Sequence, residues 1–134
     1  MSVKVKVTQE NPNGFNKYTK SFERKLQQTL NAAGNLVQRS AKESILTGPK
    51  SGARRGRHTA SAPGQPPASD TGFLANHIFV VQKKLEVDVE SRANYSKFLE
   101  FGTAKMRARP FMFPALEKNR NKIRRMLKLV KGKV

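Results

Sequence analysis

The sequence predicts an α+β fold in which a long N-terminal helix and a basic C-terminal helix pack on a small antiparallel sheet, with a long Gly/Pro-rich loop between elements. Three patterns support this prediction. Apolar residues alternate with polar ones in two short stretches, they recur every three or four residues in two longer ones, and glycine and proline concentrate in residues 48–72. Alternation is the period of a half-buried strand, and the longer spacing is that of an amphipathic helix. The whole chain, residues 1–134, is expected to be one domain.

The N-terminal segment predicts an edge strand. Val3, Val5 and Val7 alternate with lysines, so one face is apolar and the other is charged. Lysine on the outer face of an edge strand discourages pairing with another chain. The turn sequence Asn-Pro-Asn-Gly at residues 11–14 is expected to end the strand.

A long amphipathic helix is predicted next. Its apolar residues are spaced by three or four from Phe15 to Ile45, and Gly48-Pro49 is expected to end it. Most of this stripe is expected to be core, with packing of one part on a neighbouring subunit as the alternative. Gly34 permits either a close approach by another backbone or a weak point, since glycine costs ~1 kcal/mol inside a helix.

Residues 48–72 are predicted to form a long loop that carries a cluster of basic residues. With five glycines, four prolines and no apolar residue larger than alanine, this segment cannot build a core and is expected to be either mobile or held by a partner. Asp70-Thr71-Gly72 is expected to cap a short turn that follows. The candidate contacts with DNA or an acidic partner in this loop, with a solvated basic loop as the plain alternative, are Lys50, Arg54, Arg55, Arg57 and His58.

A hairpin is predicted over residues 78–90. Leu85, Val87 and Val89 alternate with three acids, which are therefore expected to form an acidic outer face on the sheet. A basic helix is predicted over residues 114–131, with its cations opposite an apolar stripe. Its candidate contacts with DNA or an acidic partner are Arg120, Arg124, Arg125 and Lys128.

The stretch from Ala93 to Ala115 predicts a compact corner. Tyr95, Phe98 and Phe101 fall at helical spacing and are expected to be local core until Gly102 stops the helix. Glu100 is expected to be either solvated or paired with an arginine such as Arg107. Proline at position 110 favours an extended backbone before it, and Pro114 suits a first helical turn. The candidate contacts between subunits are Phe101, Gly102, Thr103, Arg107, Arg109, Pro110 and Phe111.

No catalytic or metal-binding arrangement is found in the sequence. The chain has no cysteine, and its two histidines, His58 and His77, have no spaced carboxylates with which to hold a metal or activate a nucleophile. Asp70-Thr-Gly follows a Pro-rich segment rather than an apolar strand, so a protease-like role for it is rejected. No signal peptide and no apolar run near the ~20 residues of a membrane helix is seen. We therefore expect a non-enzyme without cofactors and without a membrane partner.

Two stretches resemble the tail-component family of long-tailed bacteriophages, whose members are described as neck, head–tail joining or tail-completion proteins. The first runs from His58 to Leu74 and contains Pro-Gly-Gln-Pro-Pro and Asp-Thr-Gly-Phe-Leu; the second runs from Tyr95 to Ala115 and contains Tyr-Ser-Lys-Phe-Leu-Glu-Phe-Gly-Thr and Ala-Arg-Pro-Phe. The resemblance implies a small α+β subunit that assembles as a homo-oligomeric ring between the head connector and the tail tube. It also implies a virion protein that is assembled in the host cytoplasm.

The net charge of +18 leaves a second function open. The alternative to a structural assembly protein is a sequence-independent nucleic-acid-binding protein that uses the basic loop and the C-terminal helix. Against this alternative, the aromatic residues lie at core-like spacing and are not interleaved with the cations, as a base-stacking surface requires. Both functions hold together if a ring lines the passage of the viral DNA.

Overall fold

The computed structural model describes residues 1–7, 20–52, 54–55, 58–68 and 72–131. Its helices and strands confirm the α+β fold: a long helix, a C-terminal helix and a small antiparallel sheet. The strands are β1 (Ser2–Lys6), β2 (Arg54–Arg55), β3 (His58–Thr59), β4 (Ile78–Lys83) and β5 (Glu86–Ser91). The helices are α1 (Lys20–Thr47), α2 (Phe73–Asn76), α3 (Ser96–Phe101) and α4 (Met112–Lys131).

The main sheet has three antiparallel strands in the order β1-β5-β4. Val3 pairs with Val89, and Val89 pairs with Val80 on its other side. These residues share the face that packs on α1, where Val3 and Val89 are buried, because alternate residues of a strand point to the same side. The predicted edge strand and hairpin are therefore confirmed. Leu85 lies in the turn between β4 and β5 with a φ of 57° rather than within the strand.

The outer face of this sheet is not the acidic surface that the sequence predicts. Asp88 is only 2% exposed. Its carboxylate lies 2.9 Å from the Lys83 ammonium and 4.0 Å from that of Lys4. The Lys4 ammonium is also 3.6 Å from Glu86, and Arg92 is 3.5 Å from Glu90. Antiparallel register places Lys4 and Lys83 beside the acids of β5, and Arg92 directly follows that strand, so the chain neutralises the row itself.

The contact with Asp88 also changes the pKa of Lys83. Its hydrogen bond with Asp88 and the negative charge of that carboxylate raise the pKa of Lys83 above its usual value. Because the ammonium itself is in solvent, this contact contributes little to the stability of the fold.

Helix α1 follows the predicted apolar stripe. Leu26, Leu30, Val37 and Ile45 are all buried against the sheet and α4. The helix ends at Thr47, directly before Gly48-Pro49. The proposed start at Phe15 and the turn at residues 11–14 lie outside the described residues.

Gly34 is not a break, because α1 continues through it, and the atoms nearest to it are side chains of the sheet rather than another backbone. A methyl group on Gly34 would lie 2.7 Å from Val87 Cγ2 and 3.0 Å from Val80 Cγ1. The absence of a side chain at this position thus allows the helix to approach the sheet.

Helix α4 packs antiparallel on α1. Ala115 and Ile123 are buried in the shared core, and the Asn119 amide donates a hydrogen bond of 2.8 Å to Ser40 Oγ. At the other end of the pair, Leu127 packs with the cluster around Leu30. The helix begins at Met112, two residues before its predicted start.

We expect Gly34→Ala to destabilise the protein by about 1–2 kcal/mol. Alanine is the better helix former by ~1 kcal/mol, but overpacking in a filled core costs about 1–3 kcal/mol, and the added methyl group would be closer to Val87 than side chains normally pack. Urea denaturation of both proteins measures the difference. Asn35→Ala, at an exposed position of the same helix, is the control and should stabilise by about 0.5 kcal/mol. A stabilising Gly34→Ala would contradict the close approach.

Candidate functional site

The corner from Ala93 to Ala115 is built by two helices and a tight return of the backbone. Helix α3 ends where the Gly102 N–H donates to the Phe98 carbonyl at 2.8 Å. The chain then turns, with the Thr103 N–H bonded to the Met106 carbonyl at 2.7 Å. It returns along α3, where the Arg109 N–H donates to the Leu99 carbonyl at 2.6 Å. The predicted sequence of helix, glycine stop, extended segment and helix is thus observed.

Glu100 connects the two helices of the corner. Its side chain is only 5% exposed, and its carboxylate accepts hydrogen bonds from three consecutive backbone N–H groups at the start of α4. The donors are Phe111 at 2.8 Å, Met112 at 3.1 Å and Phe113 at 2.8 Å. The first N–H groups of a helix have no partner within it and carry partial positive charge, so a carboxylate there is favourable. Glu100 therefore caps α4 from a distance and explains its early start.

This arrangement corrects the prediction for Glu100, which is neither solvated nor paired with Arg107. The sequence contained one signal for it: an acid lying between apolar residues on a short helix. Because its partners are backbone groups of a segment eleven to thirteen residues later, side-chain pattern alone does not identify them.

The aromatic residues of α3, and Tyr95 directly before it, face solvent rather than the core. Tyr95 is 39% exposed, Phe98 54% and Phe101 69%. Helix α3 buries Ser96 and Glu100, and residues 98 and 101 lie on the opposite side of so short a helix. The prediction that these three aromatics are local core is therefore wrong.

Phe111 takes the core position instead. It is 1% exposed and is the largest fully buried side chain of the described residues. Its side chain consequently does not reach another subunit in this conformation. Phe113, in the first turn of α4, is 57% exposed, so the corner carries three exposed phenylalanines, Phe98, Phe101 and Phe113. We call these three residues the corner phenylalanines.

Gly102 permits the sharp return of the chain. It has φ 77° and ψ 176°, a conformation that is essentially restricted to glycine. A methyl group there would also lie 2.9 Å from both the Ala108 nitrogen and the Met106 oxygen. Backbone conformation and space therefore both require glycine at this position.

The other predicted contacts of the corner fall into two groups. Thr103 and Arg107 are exposed in the turn, where the Thr103 hydroxyl accepts hydrogen bonds from the backbone of Lys105 and Met106. Arg109 and Pro110 are half-buried. The Arg109 Nε–H donates to the Ser61 carbonyl at 3.3 Å, which connects the corner to the Gly/Pro-rich loop.

The chain itself supports the described part of that loop. The Gly52 N–H donates to the Ala60 carbonyl at 2.8 Å, and the Gly64 N–H donates to the Ala108 carbonyl at 3.0 Å. The Gln65 side-chain oxygen accepts from the backbone N–H groups of Ser51 and Ala62. The sequence predicts that this loop is either mobile or held by a partner. In the structure, its described part is also held by hydrogen bonds within the same chain.

The predicted cations of the loop are only partly described. Arg54 is exposed and Lys50 is half-buried, and the Lys50 ammonium donates to the Leu46 carbonyl in the last turn of α1, 3.3 Å away. The backbones of Arg55 and His58 pair in the small ladder of β2 and β3. The side chains of these two residues and the whole of Arg57 lie outside the described residues, as does Asp70-Thr71; the cap position of α2 is held by Gly72 without a side-chain hydrogen bond.

A second aromatic surface was not predicted from the sequence. The ring of Phe73 stacks on that of His77 with centroids 3.8 Å apart, and the Arg92 guanidinium lies 4.4 Å from the centroid of Phe79. Phe73 and Phe79 are 46% and 37% exposed. Strand alternation could have placed Phe79 on the outer face, but the contact with Arg92 depends on how β4 meets β5.

A shallow groove of about 300 Å³ lies between the end of α1 and the start of α4. Four prolines from three separate segments contribute to its walls, namely Pro49, Pro66, Pro110 and Pro114. Within the described residues, no group of acids and histidines is arranged to hold a metal ion. None of the described helices combines the length and apolar character required to cross a membrane.

Fold and corner together define a small, strongly basic α+β protein that presents phenylalanine side chains on its surface. The family model described as "Bacteriophage HK97-gp10, putative tail-component" matches residues 12–102, more than half of the chain, and the chain belongs to this family. The match includes the Pro-Gly-Gln-Pro-Pro loop and ends at Gly102, so the Ala-Arg-Pro-Phe segment lies beyond it. Neither curated proteins nor solved structures give a significant match.

Membership supports the coarser part of the predicted function. The protein is a bacteriophage tail component with a structural role, which places it among virion proteins and implies contact with other proteins of the particle. A structural family also indicates a role other than catalysis.

We expect Glu100→Ala to destabilise the protein by about 2–4 kcal/mol. It removes hydrogen bonds between a charged group and three backbone donors, and leaves buried donors without a partner. Chemical denaturation measures the loss. The control is Glu117→Ala, which removes an exposed ion pair with Arg120 and should cost at most ~0.5 kcal/mol. Similar losses for the two variants would show that the cap does not hold α4 in place.

We expect Gly102→Ala to cost roughly 3 kcal/mol, from a strained backbone and a clash with backbone atoms. Gly64→Ala separates the two causes, because Gly64 also has a positive φ, of 84°, but has open space around its Cα. This control should cost only about 1–2 kcal/mol. The two midpoints in urea provide the comparison, and equal shifts would exclude the steric contribution at Gly102.

Proposed function

We propose that this protein is a structural subunit, folded as one domain over residues 1–134, that forms a homo-oligomeric ring at the phage neck. The ring joins the DNA-filled head to the tail or completes the tail. Its neighbours are the head-connector and tail-tube proteins, and it is assembled in the host cytoplasm. One observation carries the proposal: a chain of the phage tail-component family leaves Phe98, Phe101 and Phe113 in solvent.

The corner phenylalanines support assembly for an energetic reason. Burial of a large apolar side chain contributes about 1.5–3 kcal/mol, and aromatic anchors supply much of the binding energy at protein interfaces. Phe101 is 69% exposed, so most of this free energy is unused in the single subunit. A neighbouring subunit that covers the corner would gain it.

The rigidity of the corner also favours this role. The backbone that presents these side chains is held by the Glu100 cap and by the hydrogen bond from Arg109 to Leu99. Preorganised contacts lose less conformational entropy on binding. Thr103, Arg107, Arg109 and Pro110 border the same segment and remain proposed contacts, whereas Phe111 supports the corner from the core.

The charges of the sheet are not available to this interface. An acidic sheet face could have paired with the basic helix of a neighbouring subunit. Because Lys4, Lys83 and Arg92 already neutralise that row, the proposed contact between subunits is chiefly apolar and centred on the corner.

The ring is tested by electron microscopy of particles produced without this protein. We expect filled heads and tails that are not joined, or tails that lack their final ring. Finished, infective virions would exclude the proposal. The mass of the purified protein, measured by light scattering as a function of concentration, tests whether it forms the oligomer alone.

We expect Phe101→Ser to reduce incorporation into particles at least tenfold while the free energy of unfolding changes by no more than ~0.5 kcal/mol, since the side chain is mostly in solvent. The matched control is Leu129→Ser, which removes an equally exposed apolar side chain, 66%, at the far end of α4 and should be incorporated normally. Phe111→Ala should instead lose about 3–5 kcal/mol of stability. Normal incorporation of Phe101→Ser would remove the corner from the interface.

The second predicted function, sequence-independent binding of nucleic acid, is compatible with this role. A ring between head and tail surrounds the path of the DNA, so one surface of each subunit would face it.

A further inference from the structure

We propose that the exposed face of α4 binds the phosphate backbone of double-stranded DNA, without regard to its sequence. The surface consists of two rows of cations, named here the α4 cation rows. Residues four or seven to eight apart lie along one side of a helix. The first row contains Lys118, Lys122 and Arg125, and the second contains Arg120, Arg124 and Lys128.

These cations are available to a partner. All six side chains are exposed, and within the described residues only Arg120 forms an ion pair, with Glu117 of the same helix at 3.2 Å. Each row extends for about two turns, with neighbouring cations about 4.5–6 Å apart along the helix axis. They form an extended positive surface rather than a single-ion site.

Four acids of the described residues are engaged elsewhere. Glu86, Asp88 and Glu90 pair with cations of the sheet region, and Glu100 is occupied with the N-terminus of α4. Glu23 and Glu43 lie on α1, but in the described part of the chain neither pairs with α4. Apart from the Arg120–Glu117 pair, the charge of the rows is therefore not compensated within the described residues, and the surface is open to an anion from outside.

The composition of the face distinguishes DNA from an acidic protein. Protein interfaces are built around apolar and aromatic anchors and are poor in lysine. From Lys118 to Lys128 this face has no aromatic residue, whereas the corner phenylalanines lie at the opposite end of α4. Regularly spaced lysine and arginine without such anchors match the regularly spaced phosphates of a duplex.

The packing of α4 holds the rows in place. Ile123 and Asn119 fix the buried side against α1, with Asn119 bonded to Ser40, and Glu100 caps the N-terminus. The cations thus project from a helix already attached to the core, which reduces the ordering required on binding. The inference rests on the proposed function only for the source of the DNA, which would be the viral DNA that passes through the ring. Binding itself is testable on the isolated protein.

The test is fluorescence anisotropy with labelled 20-base-pair duplexes, one A·T-rich and one G·C-rich, from 50 to 300 mM NaCl. For four to five phosphate contacts, log K should fall with log[NaCl] with a slope of roughly −4. The affinities of the two duplexes should agree within about threefold, because phosphate contacts carry no sequence information.

The triple variant Arg124→Gln, Arg125→Gln, Lys128→Gln tests the location. Its slope should decrease in magnitude by roughly 2–3, and its affinity at 0.1 M NaCl should fall on the order of 100-fold. The matched control is Lys84→Gln, Lys97→Gln, Lys105→Gln, which removes the same charge from exposed positions away from α4 and should bind nearly as the parent does. Circular dichroism and the solution mass verify that both variants keep the fold and the oligomeric state.

Three results would overturn the inference. The first is no change in anisotropy at micromolar protein and 50 mM NaCl. The second is an equal loss in both triple variants, which would attribute binding to net charge rather than to α4. The third is tighter, α4-dependent binding to polyglutamate of matched charge density, which would assign the rows to an acidic protein surface. None of these would affect the proposed ring, which is tested by particle morphology.

Discussion

The structure depends most on one buried carboxylate. The side chain of Glu100 projects from α3 and accepts hydrogen bonds from the first backbone N–H groups of α4. A single side chain therefore joins two helices that are separated by an irregular turn. A buried charge is costly unless it is fully hydrogen-bonded, and here the partial positive charge of a helix start satisfies it. The face of α3 that carries Glu100 is thereby directed inwards, and the phenylalanines on its other side are directed outwards.

The acids of β5 are likewise paired within the chain. In the sheet, antiparallel register places lysines beside the acids of β5, and Asp88 is buried between them. Among the described residues, this local neutralisation leaves the cations of α4 with one opposing acid, Glu117, which pairs with Arg120. The subunit consequently has a cationic surface on α4 and exposed phenylalanines at the corner before that helix, two surfaces with different chemistry and different proposed partners.

The two surfaces differ in how far the family match covers them. The matched residues, 12–102, include α1, the hairpin and α3 with two of the corner phenylalanines, and they associate this part of the fold with phage tails. Helix α4 follows the matched segment. The proposed interface at the corner thus begins within the family match and ends beyond it, while the α4 cation rows belong to the part of the chain that the match does not include.

The sequence by itself determined the elements whose signal is local and periodic. The valines of β1, the stripe of α1, the hairpin, the stop at Gly102 and the basic helix all follow from apolar spacing and from glycine or proline, and the structure agrees. Only the tertiary structure decided which side chains face inwards at the corner. The sequence pattern does not distinguish Phe101 from Phe111, yet Phe101 is 69% exposed and Phe111 only 1%. The reason is that Glu100 bonds to backbone groups eleven to thirteen residues later, which orients α3 with Glu100 inwards and Phe101 outwards. Likewise, whether the β5 acids form a surface depended on lysines brought alongside by strand pairing, a relation that no spacing along the chain contains.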